Sequence, residues 1–148
     1  MKRETYIRIL GFWKKTPFRE TVLRTIGKGT PYAMAALYLG TAVWLAVVNP
    51  WKLILFCLIP LGVFLLVSLL RYHLNYPRPF EELGFEPLIP HSKGESFPSR
   101  HTASAFILAC ACTYASPWLA IPGFILAAVA GLSRFLLGVH YPRDVLCG

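Results

Sequence analysis

TASAFILACACTYASPWLAIPGFILAAVAGLS, residues 102–133, runs for 32 positions without a charged side chain. Burying such a run in a water-soluble domain is rare, whereas about 18 or more apolar residues are what a helix needs to cross hydrocarbon. Ser116-Pro117 divides the run and turns the chain from one helix into the next, so the stretch reads as a helical hairpin. Its first arm, from near Ser99 to about Ala115, rises only about 23 Å at 1.5 Å per residue, against about 30 Å of hydrocarbon. One end of that arm therefore sits below the headgroups or under the preceding loop, and this end carries His101. The second arm runs from about Trp118 to Leu137, with a break expected near Pro122-Gly123, and Gly138 ends it.

The rest of the chain follows the same pattern. Gly29–Trp51 is charge-free, as is everything between Lys52 and Arg71. These runs give a span over about Pro31–Val48, closed by Asn49-Pro50, and a second over about Trp51–Leu70, bent by Pro60. Only 15% of the 148 residues are charged and 55% are hydrophobic; roughly 25% charged is usual for a soluble domain. The expected fold is an all-α polytopic bundle in the cell membrane, with about four to five transmembrane helices. Residues 74–100 form a proline-rich loop. Asp144 reads as the N-cap of a further helix with one turn of sequence behind it, so a final helix is expected to be truncated.

Charge is concentrated at the start. Residues 1–28 hold eight Lys/Arg against Glu4 and Glu20. No soluble basic domain carries this charge, which excludes nucleic acid and points to anionic membrane lipid as the partner. Tyr6, Ile9, Leu10 and Trp13 share a helical face. Thr16-Pro17 opens a second short helix on which Phe18, Val22 and Ile26 recur, and Gly27 and Gly29 close it. Residues 1–29 are thus expected to lie in the headgroup plane as a basic amphipathic segment, ahead of a transmembrane domain over 30–148. Cys57, Cys110 and Cys112 lie in apolar runs and read as small buried hydrophobes, without metal or redox spacing.

Charge in or near hydrocarbon is expensive and marks function. Three charged clusters follow the second span: Arg71-x6-Arg78-Pro79, Pro98-Ser99-Arg100-His101, and Ser133-Arg134-x5-His140-x3-Asp144. Helix parity puts all three on one membrane face. Arg71, Arg78, Arg100 and Arg134 offer guanidinium forks matched to phosphate oxygens. Ser99 stands at a helix N-terminus, which favours an anion. His101 and His140 can move protons or attack phosphorus near neutral pH, and Asp144 can hold one nitrogen of His140 and leave the other free. Together they suggest phosphoryl transfer through a phosphohistidine. His73 and His91 fall outside these clusters and read as solvated loop residues.

The three clusters, in this order and spacing, resemble the signature of the type 2 phosphatidic acid phosphatase superfamily, over residues 71–144. The resemblance implies a metal- and cofactor-independent phosphatase acting on a lipid phosphate monoester or pyrophosphate. It implies His140 as nucleophile, Asp144 as its orienting partner and His101 as general acid, with Arg71, Arg78, Ser99, Arg100 and Arg134 around the phosphate. The family usually has Lys at the position of Arg71 and often Gly at that of Arg100. Transfer to another hydroxyl, or phosphate binding without turnover, are the alternative activities. The basic N-terminus argues for a cytoplasmic start, which two spans later puts the site on that same face.

Overall fold

The computed structural model describes residues 3–148 and is helical, with no strand among the described residues. The order is α1 (Arg3–Lys14), α2 (Pro17–Val48), α3 (Pro50–Leu74), a short α4 (Pro79–Leu83), α5 (Arg100–Ala115), a 3-10 turn (Pro117–Leu119), α6 (Ala120–Leu136) and a short α7 (Pro142–Leu146). Three stretches are long and apolar enough to cross a membrane: Pro17–Val48, Pro50–Leu83 and Pro117–Leu136. Their outer faces carry exposed apolar side chains such as Val43, Leu65, Leu69 and Ile125. At 16 residues, α5 is the short arm expected from the sequence.

The short helix is the centre of the bundle, packed against α6, α3 and α2. Small side chains permit this. Ala105 and Ala109 of α5 meet Ala127 and Ala130 of α6, with Met34 of α2 closing the cluster. At Gly123 a Cβ would come within 3.3 Å of the Ala109 Cα, so the two backbones nearly touch. In a bilayer, where lipid is as apolar as the core, close backbone approach of this kind supplies the attraction that hydrophobicity cannot.

Two helix-interior prolines tie the bundle together. A proline has no N–H for the carbonyl four residues earlier. Pro31, inside α2, leaves the Gly27 carbonyl free, and Arg134 of α6 donates to it from Nη2 at 2.6 Å. Pro60, inside α3, leaves the Phe56 carbonyl free, and the Tyr38 hydroxyl of α2 donates to it at 3.0 Å, its ring stacked on Phe56 at 4.5 Å. Each freed acceptor becomes an interhelical bond, as it must where water is absent.

Several expectations are corrected. The segment 17–29 is no separate surface helix; it forms the first turns of α2, which continues through Gly27, Gly29 and Pro31. Thr16-Pro17 does open that helix. The Tyr6–Leu10 face of α1 is buried against protein. Pro122 falls in the first turn of α6 and breaks nothing, because first-turn N–H groups have no intrahelical partner to lose. Of the membrane cysteines only Cys112 is buried; Cys57 and Cys110 face outward.

The proline-freed carbonyl yields a double-mutant test. Tyr38→Phe keeps the stacked ring but strands the Phe56 carbonyl, at an expected cost of about 0.5–1.5 kcal/mol in detergent unfolding. In a Pro60→Ala background, where residue 60 regains its N–H, the same substitution is expected to cost close to nothing.

Candidate active site

α3 and α6 end, and α5 begins, at one end of the bundle, and there the three charged clusters meet. Asp144 is their hub. It is fully buried and is the third residue after the α7 cap Tyr141, not the cap itself. Its Oδ2 accepts from the Tyr141 N–H at 3.0 Å and from the Ser96 hydroxyl at 2.5 Å. Its own carbonyl accepts from the Ser99 N–H at 2.8 Å. Nδ1 of His140 lies 3.6 Å from Oδ2, an ion-pair distance longer than a hydrogen bond. Burial alone would raise the Asp144 carboxyl; His140, Ser96 and the Tyr141 N–H outweigh it and hold the group below the usual carboxylate range. Burial pushes the His140 imidazole down, opposed by Asp144.

Three guanidinium groups are buried around this pair: Arg71, Arg78 and Arg134. Arg78 donates from Nε to the Gly94 carbonyl at 2.9 Å and from Nη1 to the Val139 carbonyl at 3.2 Å. The same Nη1 stands 3.4 Å from Nε2 of His140. Because arginine only donates, Nε2 is the acceptor nitrogen and the ring proton belongs on Nδ1, toward Asp144. Arg71, in the last turn of α3, donates to the Pro98 carbonyl at 2.7 Å and reaches Glu95 at 3.6 Å. Both arms of the fork are in use, which a lysine there could not reproduce. Nε of Arg71 and Nε of Arg134 are buried without a hydrogen-bond partner.

His101, in the first turn of α5, has the His91 ring 6.1 Å from its own, and His91 in turn is 6.4 Å from the His140 ring. Ser99 caps α5 and is buried; its Oγ accepts from the Thr102 hydroxyl at 3.0 Å. Arg100 is the exception among the expected arginines. It is exposed, its Cζ 5.8 Å from the Phe64 ring centre. With His101, Thr30 and Ser104 it lines a cavity of about 190 Å³ that is otherwise apolar, running among Pro31, Met34, Leu108 and Ala130.

The turn carrying His140 is braced from below by α1. The Tyr6 hydroxyl donates to the His140 carbonyl at 2.9 Å, fully buried among Phe85, Phe135 and Tyr141. Leu10 packs with Leu88, Leu137 and Val139. Gly138 has φ of +79°, and a Cβ there would meet Phe85 at 3.0 Å, so both the turn and the packing require glycine. The basic N-terminal helix and the site thus share one end of the molecule.

The sequence does not single out Ser96, and it places Tyr6 on an amphipathic face and His91 among solvated loop residues. His91 is half-buried in the site rather than solvated, while His73 is exposed. Burial, with Arg78, His140 and Arg134 beside it, holds the His91 imidazole down at about 4. The available signal was its place in the loop joining two clusters that converge.

Comparison with known proteins identifies the family. The sequence model of the PAP2 superfamily matches residues 51–148. Undecaprenyl-diphosphatase BcrC of Bacillus subtilis is 40% identical over 70 residues, 47% of this chain and 36% of that protein. A lipid A 1-phosphatase of Rhizobium johnstonii is 39% identical over 92 residues, 57% of this chain and 36% of its own length. The chain therefore spans little more than a third of these relatives. The crystal structure of Aquifex aeolicus LpxE superposes with a TM-score of 0.72 at 25% identity, covering 98% of this chain and 86% of that one. A PAP2-type phosphatidylglycerolphosphate phosphatase from Bacillus subtilis gives 0.70 at 22% identity, covering 97% and 75%, and shows likeness of fold.

The hub makes a pH-dependent prediction. Ser96→Ala removes one donor to the buried Asp144 carboxylate and is expected to cost about 1–3 kcal/mol at neutral pH. Because the folded carboxyl sits below its unfolded value, this contribution is present above roughly pH 4 and fades as pH falls through the folded value. Unfolding of both proteins in detergent across that range reads the convergence.

Proposed function

The chain belongs to the PAP2 superfamily and is a multi-pass membrane protein, and on that premise we propose that it hydrolyses a phosphate monoester or diphosphate carried by a lipid. The observation that carries this reading is the surplus of buried positive charge around one imidazole. Arg71, Arg78 and Arg134 are each 4% exposed or less, yet Asp144 is the one fully buried carboxylate beside them. A phosphate dianion restores the balance, and guanidinium forks match its oxygens.

The roles follow from the nitrogens. Asp144 keeps the proton on Nδ1 of His140, and as Arg78 turns its Nη1 from Nε2 to the phosphate oxygens the Nε2 lone pair attacks phosphorus in line. A P–N bond forms as the P–O bond to the lipid breaks, and His101, which burial and Arg134 hold neutral before substrate arrives, takes up a proton once the phosphate dianion offsets the arginines and delivers it to the departing oxygen. Water then attacks the phosphohistidine while His101, now neutral, takes its proton; the P–N bond breaks and inorganic phosphate leaves. Arg71, Arg78 and Arg134 hold the non-bridging oxygens, and the α5 N-terminus at Ser99 adds its dipole. Arg100 meets the headgroup at the mouth of the cavity. The apolar lining of that cavity, from His101 to Met34 and Leu108, suits a chain that stays in the bilayer while its phosphate reaches the histidines.

Purified protein in detergent is expected to release phosphate from at least one of phosphatidate, phosphatidylglycerophosphate and undecaprenyl diphosphate, and to do so in EDTA. His140→Ala and His101→Ala are each expected to lower the rate by at least about 100-fold in protein that still folds. Full activity of a folded His140→Ala protein overturns the mechanism.

A further inference from the structure

Hydrolysis as proposed uses two imidazoles, but the site holds three. His91 lies 6.1 Å from the His101 ring and 6.4 Å from the His140 ring. Near-equal distances put it close to the plane midway between those two rings. If His140 attacks and His101 faces the departing oxygen, the reaction axis runs from one ring to the other. The plane midway between them is then where the three non-bridging oxygens of the transferring phosphoryl group spread. In a loose transition state the negative charge sits on those oxygens.

The seat of His91 is built rather than incidental. Upstream, Leu88 and Ile89 are buried in the cluster with Leu10, Leu137 and Val139, and the Leu88 N–H donates to the Leu137 carbonyl at 3.0 Å. Downstream, the Gly94 N–H donates to Glu81 Oε1 at 2.7 Å, and the Gly94 carbonyl accepts from Arg78 Nε. The loop is pinned on both sides of His91, and one pin is the arginine that also touches His140.

We propose that His91 is a third phosphate-contacting imidazole, donating an N–H to a non-bridging oxygen of the scissile phosphoryl group. The inference rests on the hydrolase reading for its reaction axis. An imidazole that is neutral before substrate arrives suits the role, because it adds a directional donor without adding to the repulsion among the arginines. As those oxygens flatten into the equatorial plane, a donor placed in that plane fits them better than in the ground state, which is how it contributes to rate and not only to binding.

The test compares His91→Ala and His91→Gln with the unaltered protein, using lipid phosphate turnover and orthovanadate, which adopts the five-coordinate geometry of the transferring phosphorus. His91→Ala is expected to lower kcat/KM by about 100- to 1,000-fold, the usual cost of losing one such donor, and to weaken vanadate inhibition by the same factor. His91→Gln, which keeps an N–H donor, is expected to recover part of both. A merely structural role would lower the active fraction and leave the vanadate inhibition constant of the remainder unchanged; that result overturns the proposal. So does turnover within about twofold of the unaltered protein, in which case the hydrolase reading still stands. If the unaltered protein releases phosphate from no lipid, the hydrolase reading falls. Vanadate binding by calorimetry then decides for His91 alone: weakening by His91→Ala supports the contact, and equal binding, or none in the unaltered protein, overturns it.

Discussion

A carboxylate with no solvent exposure sets the geometry of this protein. Isolated, the buried charge of Asp144 would cost several kcal/mol and the group would take up a proton. It stays ionised because a hydroxyl, a backbone N–H and an imidazole surround it, and these come from different parts of the chain. Ser96 lies in the long loop, Tyr141 and His140 in the turn after α6. The Asp144 carbonyl adds a fourth tie, to the N–H of the residue that caps α5. Satisfying one charge therefore fixes the loop, the turn and the start of the central helix relative to one another. The geometry of the candidate site follows from that requirement.

A second constraint comes from hydrocarbon. Prolines inside α2 and α3 each strand a carbonyl, and no water is there to satisfy it. Tyr38 answers one, tying two helices together. Arg134 answers the other, and this has a larger consequence. One arm of a buried guanidinium is committed to α2, so the charge is held in place before any substrate arrives. Pre-organised charge of this kind stabilises a transition state without reorganisation during the reaction.

Those constraints explain what could be read from the sequence. Long charge-free runs specify membrane helices by transfer energy alone, and parity then brings the three charged clusters to one end. The Arg71, Arg78, Ser99, Arg134, His140 and Asp144 positions were legible because charge and capping residues are rare in such surroundings. Other features were not legible, for physical reasons. Gly27, Gly29 and Pro31 signal a helix end by local propensity, but tertiary partners override it: Arg134 supplies the bond that Pro31 removes. The apolar face of α1 has the same pattern whether it meets lipid or protein, and only the fold shows that Tyr6 is buried against the His140 turn. His91 resembles any loop histidine until both ends of its loop are seen to be pinned.

The N-terminal segment packs against the part of the chain that the family match covers. The superfamily match starts at residue 51, yet two residues before it hold the site. Tyr6 bonds the carbonyl of His140, and Gly27 bonds Arg134. Neither contact is a side chain directed at phosphate, so neither belongs to a recognisable motif; both act on the backbone or the far arm of a residue that does. Helices α1 and α2 thus act as a clamp beneath the charged clusters, with α1 supporting the turn and α2 restraining an arginine. Motif residues define what chemistry is possible, and the helices outside the match define how firmly that chemistry is positioned.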